Sequence, residues 1–111
     1  MDIHSTPIAE SLYAFGYTML AADRIATARE TFRAMVLFFP TDERGWLGLA
    51  RTHEEEGQDD VARELYSFCL LVVPGAIRAR FALADVLERT GAAEHVAELV
   101  TRARELAAEA A

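Results

Sequence analysis

Apolar residues recur along this chain three and four apart, in six stretches punctuated by Pro, Gly and Asp, which is the spacing of amphipathic helices. Ser5 or Thr6 can cap the first, with Pro7 at the first helical position, where its missing N–H costs nothing. That helix runs to about Leu20 and turns at Ala22-Asp23. A second helix is expected from Arg24 to Phe39, stopped by Pro40. Thr41 or Asp42 caps a third, which ends at Gly57, a residue free to take the left-handed conformation. A fourth spans Asp59 to Val73 and is halted by Pro74-Gly75; a fifth covers Ala76 to Thr90 before Gly91, and a sixth fills the remainder.

The stretches repeat. Pro40 and Pro74 lie 34 residues apart, and behind Pro40 runs a ladder of Leu12, Phe15, Gly16, Ala28 and Phe32. Behind Pro74 the same positions hold Trp46, Leu49, Ala50, Ala62 and Tyr66, and they continue as Arg80, Leu83, Ala84, Val96 and Val100. This period and ladder are the signature of the tetratricopeptide repeat, a helix–turn–helix unit. The chain is therefore expected to be one all-α domain over residues 1–111, with repeats at about 9–42, 43–76 and 77–110 stacked as a short right-handed solenoid. Gly16, Ala50 and Ala84 leave room for Ala28, Ala62 and Val96 across each helix pair. Phe32, Tyr66 and Trp46 are expected to be buried. Arg80 in the place of Trp46, and the lack of a terminal proline, suit a polar end cap.

In such a stack the first helix of each repeat lines the concave side. That places Tyr13, Tyr17 and Leu20 of repeat one, Leu47, Arg51 and Glu54 of repeat two, and Phe81, Asp85 and Glu88 of repeat three in a groove. Tyr13 and Tyr17, four residues apart, share one helix face and suit a peptide anchor, with burial against a neighbouring helix as the alternative. The second helices end in Met35-Val36-Leu37-Phe38-Phe39 and Cys69-Leu70-Leu71-Val72-Val73. Five consecutive apolar residues wrap a whole helix, so some point away from the core. Leu37, Phe39, Leu71 and Val73 thus form a candidate subunit interface, with burial under the next repeat as the alternative.

Composition mainly excludes. A net charge of −7 without a basic stripe argues against nucleic-acid binding. Cys69 is the single cysteine and reads as a small core residue in a reducing compartment. His4, His53 and His95 share no metal-ligand spacing, and no nucleophile–base pattern or phosphate-cradling loop accompanies Ser11, Ser67 or the glycines. No enzyme, metal or cofactor is expected. The first residues do not read as a signal peptide and no apolar run approaches a membrane span, so a cytoplasmic protein without membrane insertion is expected.

Leu12-Tyr13-Ala14-Phe15-Gly16-Tyr17, followed by Thr41-Asp42-Glu43-Arg44-Gly45-Trp46-Leu47-Gly48-Leu49-Ala50, resembles the class II chaperones of bacterial type III secretion. Tyr66-Ser67 and Arg80-Phe81-Ala82-Leu83-Ala84 are similar to that family too. The resemblance implies a bacterial cytoplasmic chaperone that holds an apolar segment of a hydrophobic secreted translocator in its groove. Carried over by position, Tyr13, Tyr17 and Phe81 would touch the client, and a homodimer or a small co-chaperone would be a partner. A needle-subunit co-chaperone and a general protein–protein adaptor remain open alternatives. A clamp for a chaperone tail's terminal carboxylate is excluded, because Glu10, Ala14, Tyr17 and Gly48 supply none of the Lys, Asn and Arg it needs.

Overall fold

The computed structural model describes residues 7–110, and the expected Ser5 or Thr6 cap lies outside them. Six α-helices follow one another: α1 (Pro7–Ala21), α2 (Ile25–Phe38), α3 (Glu43–Glu55), α4 (Asp59–Val72), α5 (Ile77–Arg89) and α6 (Val96–Ala110), with a 3₁₀ turn at Ala93–His95. Each packs against the next, and the first helices α1, α3 and α5 also touch along one side. This is a short right-handed tetratricopeptide-type solenoid. No helix among the described residues is long and apolar enough to cross a membrane.

The breaks have local causes. Asp23 adopts φ +61°, and Gly57 and Gly91 adopt φ +73° and +81°, each ending a first helix in the left-handed region. Asp42 caps α3, accepting a hydrogen bond from the Arg44 backbone N–H at 3.1 Å. Its buried carboxylate is also held by the Arg44 guanidinium at 2.7 Å, which reaches on to Glu10 of α1 at 2.8 Å. The cap thereby ties two repeats together.

Two core clusters divide the stack. The first gathers Ala28, Phe32, Met35 and Leu49; the second centres on Ala62, Tyr66, Cys69, Leu83 and Val86. Phe32 is wholly buried, its ring wedged between two glycines. A Cβ on Gly16 would stand 2.6 Å from the ring, and one on Gly48 only 2.3 Å. Burial pushes the Cys69 thiol up to about 12, so it stays protonated and inert.

The expected burial of Trp46 needs correction, and Phe15 and the apolar helix ends show where exposure falls. Trp46 is only half-buried, because its indole N–H reaches back 2.8 Å to the Pro40 carbonyl and holds the ring at the edge of the seam. Arg80 makes the equivalent bond to the Pro74 carbonyl at 3.0 Å. Phe15, a ladder residue, is 48% exposed on the outward side of α1. Among the apolar helix ends, Leu37 and Leu71 are 77% and 76% exposed, whereas Phe39 and Val73 are half-buried. Both half-buried residues follow the last helical turn, where the chain bends back; Val73 joins the second core. The exposed apolar strip instead continues through Phe38, Phe68 and Val72.

Candidate peptide-binding groove

The first helices present a recess of about 280 Å³ on their shared side. Tyr17 of α1 enters it from one end, Leu47, Arg51 and Glu54 of α3 line the middle, and Asp85 of α5 stands opposite. Arg78 and Ala82 of α5 and Tyr66 of α4 complete it. Of the residues the sequence placed in the groove, Tyr17, Leu47, Arg51, Glu54 and Asp85 thus share this recess. Leu47 is at the same time nearly covered, since its side chain belongs to the second core. Leu20 packs partly against the first core, and Phe81 is exposed on α5 without lining the recess.

Aromatic packing fixes the tyrosines. Tyr13 and Tyr17 meet edge-on with ring centres 5.0 Å apart, and Tyr17 meets Phe32 in the same way at 5.2 Å. The Arg44 guanidinium lies 5.1 Å from the centre of the Tyr13 ring, and Tyr13 also raises the Arg78 guanidinium above its ordinary value. Burial, reinforced by Tyr13, raises the Tyr17 phenol above its ordinary value, so it remains a neutral donor.

Glu54 organises the charges. Its mostly buried carboxylate accepts from Arg51 at 3.3 Å, from Arg89 at 2.9 Å and from the Tyr66 hydroxyl at 3.3 Å. Arg89 also holds Asp59 at 2.9 Å and approaches Asp85 at 3.6 Å. Burial and then Glu54 raise the Tyr66 phenol. Arg78 differs, facing the recess under the influence of Tyr13. It also lines a neighbouring recess of about 400 Å³ with Glu43, Arg44 and Thr41, so the two hollows meet at its side chain.

Arg78 and Tyr66 were missed in the sequence. Arg78 lies three residues before Phe81 and seven before Asp85, on the same helix face, so helical spacing could have found it. Tyr66 reads only as a core spacer, and nothing in its spacing announces that its hydroxyl emerges into the groove. A larger hollow, about 1160 Å³, lies elsewhere, between α4 and α6 over Leu83 and Leu87 of α5. It is wide because those two second helices do not meet, and Arg63, Glu64, Arg80, Glu98 and Arg102 line it beside the apolar Phe68 and Leu71. Among the described residues no cluster of His, Cys, Asp and Glu could hold a metal.

No family model matches the chain, and no curated protein matches it. Solved structures do. PcrH from Pseudomonas aeruginosa is 28% identical with a TM-score of 0.78, over 89% of this chain and 75% of that one. The type III secretion chaperone SycD of Yersinia enterocolitica, in complex with a peptide of the translocator YopD, is 25% identical with a TM-score of 0.77, over 95% of this chain and 80% of that one. PcrH bound to the chaperone binding region of PopB is likewise 28% identical, TM-score 0.78, over 90% of this chain and 81% of that one. MamA, 20% identical with a TM-score of 0.77 over 90% of this chain and 58% of that one, shares the fold alone. The chain therefore resembles translocator chaperones of the class II type in fold, and over most of its length in sequence.

Proposed function

We propose that the protein is a cytoplasmic chaperone of a bacterial type III secretion system, without catalytic activity, that binds an apolar segment of a translocator in its concave groove. The observation that carries this reading is the recess itself, where Tyr17, Tyr66 and Arg78 converge on a preformed hollow. Structures of similar chaperones hold a peptide of YopD and a chaperone binding region of PopB, which supports a translocator segment as ligand. Tyr13 and Tyr17 would anchor apolar side chains, Leu47 and Leu20 would extend the apolar floor, and Arg51, Arg78 and Asp85 would meet polar groups. Phe81 would contact the client where it leaves the recess.

Co-expression with neighbouring reading frames, followed by purification of what co-elutes, tests the reading. Recovery of a hydrophobic translocator supports it; recovery of a needle subunit or an unrelated protein overturns the choice of client. With the client in hand, Tyr13→Ala combined with Tyr17→Ala should weaken binding about thirtyfold, or about 2 kcal/mol, with helicity retained. Unchanged affinity with a lowered melting point would instead make these tyrosines core residues.

The exposed strip around Leu37 and Leu71 is the second proposed contact, for a like subunit. Leu37→Glu with Leu71→Glu should give a helical monomer by sedimentation from a self-associating parent. A parent that sediments as a monomer at high micromolar concentration removes this contact.

A further inference from the structure

One row of side chains runs along the first helices in repeat register, and its charges do not balance. Glu10 of α1, Arg44 of α3 and Arg78 of α5 stand 34 residues apart and hold the same place in their repeats. Arg44 meets two carboxylates. Glu10, the preceding member of the row, lies at 2.8 Å, and Asp42, the cap of its own helix, at 2.7 Å. At Arg78 both sources are gone. The preceding member of the row is Arg44, itself a cation, and the cap position holds Ala76.

The other cations around the groove are matched. Arg51 is held by Glu54 at 3.3 Å and by Glu55 at 3.6 Å, and Arg89 by Glu54, Asp59 and Asp85. Arg78 makes no ion pair among the described residues. Glu43 acts on it from beyond ion-pair distance, and burial makes the charged form of that carboxyl costly. The Arg78 side chain is exposed where the hollows of about 280 and 400 Å³ meet, and it shares the smaller with Tyr17 and Leu47.

We propose that Arg78 selects clients by taking the side-chain carboxylate of an Asp or Glu, while an apolar residue of the same segment fills the recess against Tyr17 and Leu47. This rests on the peptide-binding reading of the groove and adds one chemical requirement to it. Arg78 borders both hollows, so the acid and the apolar residue stand within about two positions, an extended chain advancing roughly 3.5 Å per residue. A guanidinium suits the task because its fork can meet both carboxylate oxygens at once. The attraction acts at contact. The chain's net charge of −7 repels an acidic client at longer range, and salt screens that field beyond about 8 Å under physiological conditions. The acid is a side chain rather than a C-terminus. Glu10, Ala14, Tyr17 and Gly48 supply none of the Lys, Asn and Arg that a terminal carboxylate needs.

The test selects short random segments, displayed without a free C-terminus, on the full chain. The parent should enrich segments with Asp or Glu within about two positions of an apolar residue. One such segment is then synthesised as an amidated, labelled peptide. Arg78→Ala should weaken its binding at least about tenfold, as should changing the peptide's acid to its amide. The two changes together should weaken it no further than either alone. Arg78→Glu should instead bind the peptide that carries Lys in place of the acid. These variants should melt like the parent because Arg78 is exposed and unpaired among the described residues; Arg78→Gln serves if they do not. Selected peptides that need Tyr13 and Tyr17 but no acid, or whose acid keeps its effect in Arg78→Ala, overturn the role of Arg78 and leave the groove reading standing. Failure to select any peptide, or peptides indifferent to both tyrosines, overturns the groove reading and the role of Arg78 with it. Asp2→Asn should change the affinity by less than about twofold; a gain of about tenfold would make Asp2 the acid on Arg78 and overturn the client as its source.

Discussion

The two seams between repeats use the same ladder positions in different ways. At the first, Phe32 stands between Gly16 and Gly48 with no space on either side of the ring. At the second, Tyr66 occupies the corresponding place, with Ala50 and Ala82 where the glycines stood, and its hydroxyl emerges to meet Glu54 at 3.3 Å. Around Phe32 the packing is purely steric. The second seam extends a polar atom into the groove, so a single oxygen separates a packing residue from a groove residue. Packing position alone therefore does not tell structure from recognition in this fold.

The sharpest way to break the contrast is Gly48→Ala. The added methyl would fall 2.3 Å from the Cδ1 and Cε1 atoms of Phe32, and Gly16 blocks retreat on the far side. Overpacking of this kind costs roughly 1–3 kcal/mol, read as a lower urea midpoint with an unchanged slope. Phe32→Leu in the same chain should recover part of the loss, since a smaller side chain makes room. An unchanged midpoint for Gly48→Ala would mean that the first seam is as accommodating as the second.

Tyr66→Phe probes the second seam and should cost less, about 1 kcal/mol, because it removes one hydrogen bond and keeps the ring. Its signature is a weakened client with a fall in melting temperature smaller than the one Gly48→Ala causes. Equal effects on binding and stability would put the Tyr66 hydroxyl on the same footing as Phe32.

The smallest effect concerns Glu43, at the start of α3 near the join between the repeats. Its Oε2 is buried without a hydrogen-bond partner among the described residues, and burial raises the carboxyl above its ordinary value. A raised folded pKa means that the native state prefers the protonated form. Stability therefore declines as pH rises from the ordinary carboxylate range through the raised value, and the penalty is complete above it. Glu43→Gln should flatten the melting temperature across that window and raise it slightly at neutral pH. A steeper decline in the variant would contradict the burial of that oxygen.

Much of this architecture could be read from the amino acids because repeat register is a one-dimensional property. Helix ends agree with Pro40, Gly57, Pro74 and Gly91 to within a residue or two, since each acts through its own backbone. Burial was less legible. Phe15 and Leu49 occupy the same ladder position, and only the presence or absence of a covering helix separates them. Trp46 looked like a core residue by size, yet the pull of the Pro40 carbonyl on its N–H decides where the ring lies. In the groove, Arg78 was within reach of spacing arguments, while Tyr66 depended on the direction of one hydroxyl.

The position of Trp46 has a spectroscopic consequence. It is the only tryptophan, it is half-buried, and its indole is tied to the loop between the first two repeats. Its emission should shift to the red when that junction opens and stay nearly constant when a ligand enters the recess, which it does not line. Intrinsic fluorescence is thus an optical gauge of how the repeats are joined. The filling of the recess would be followed through another label.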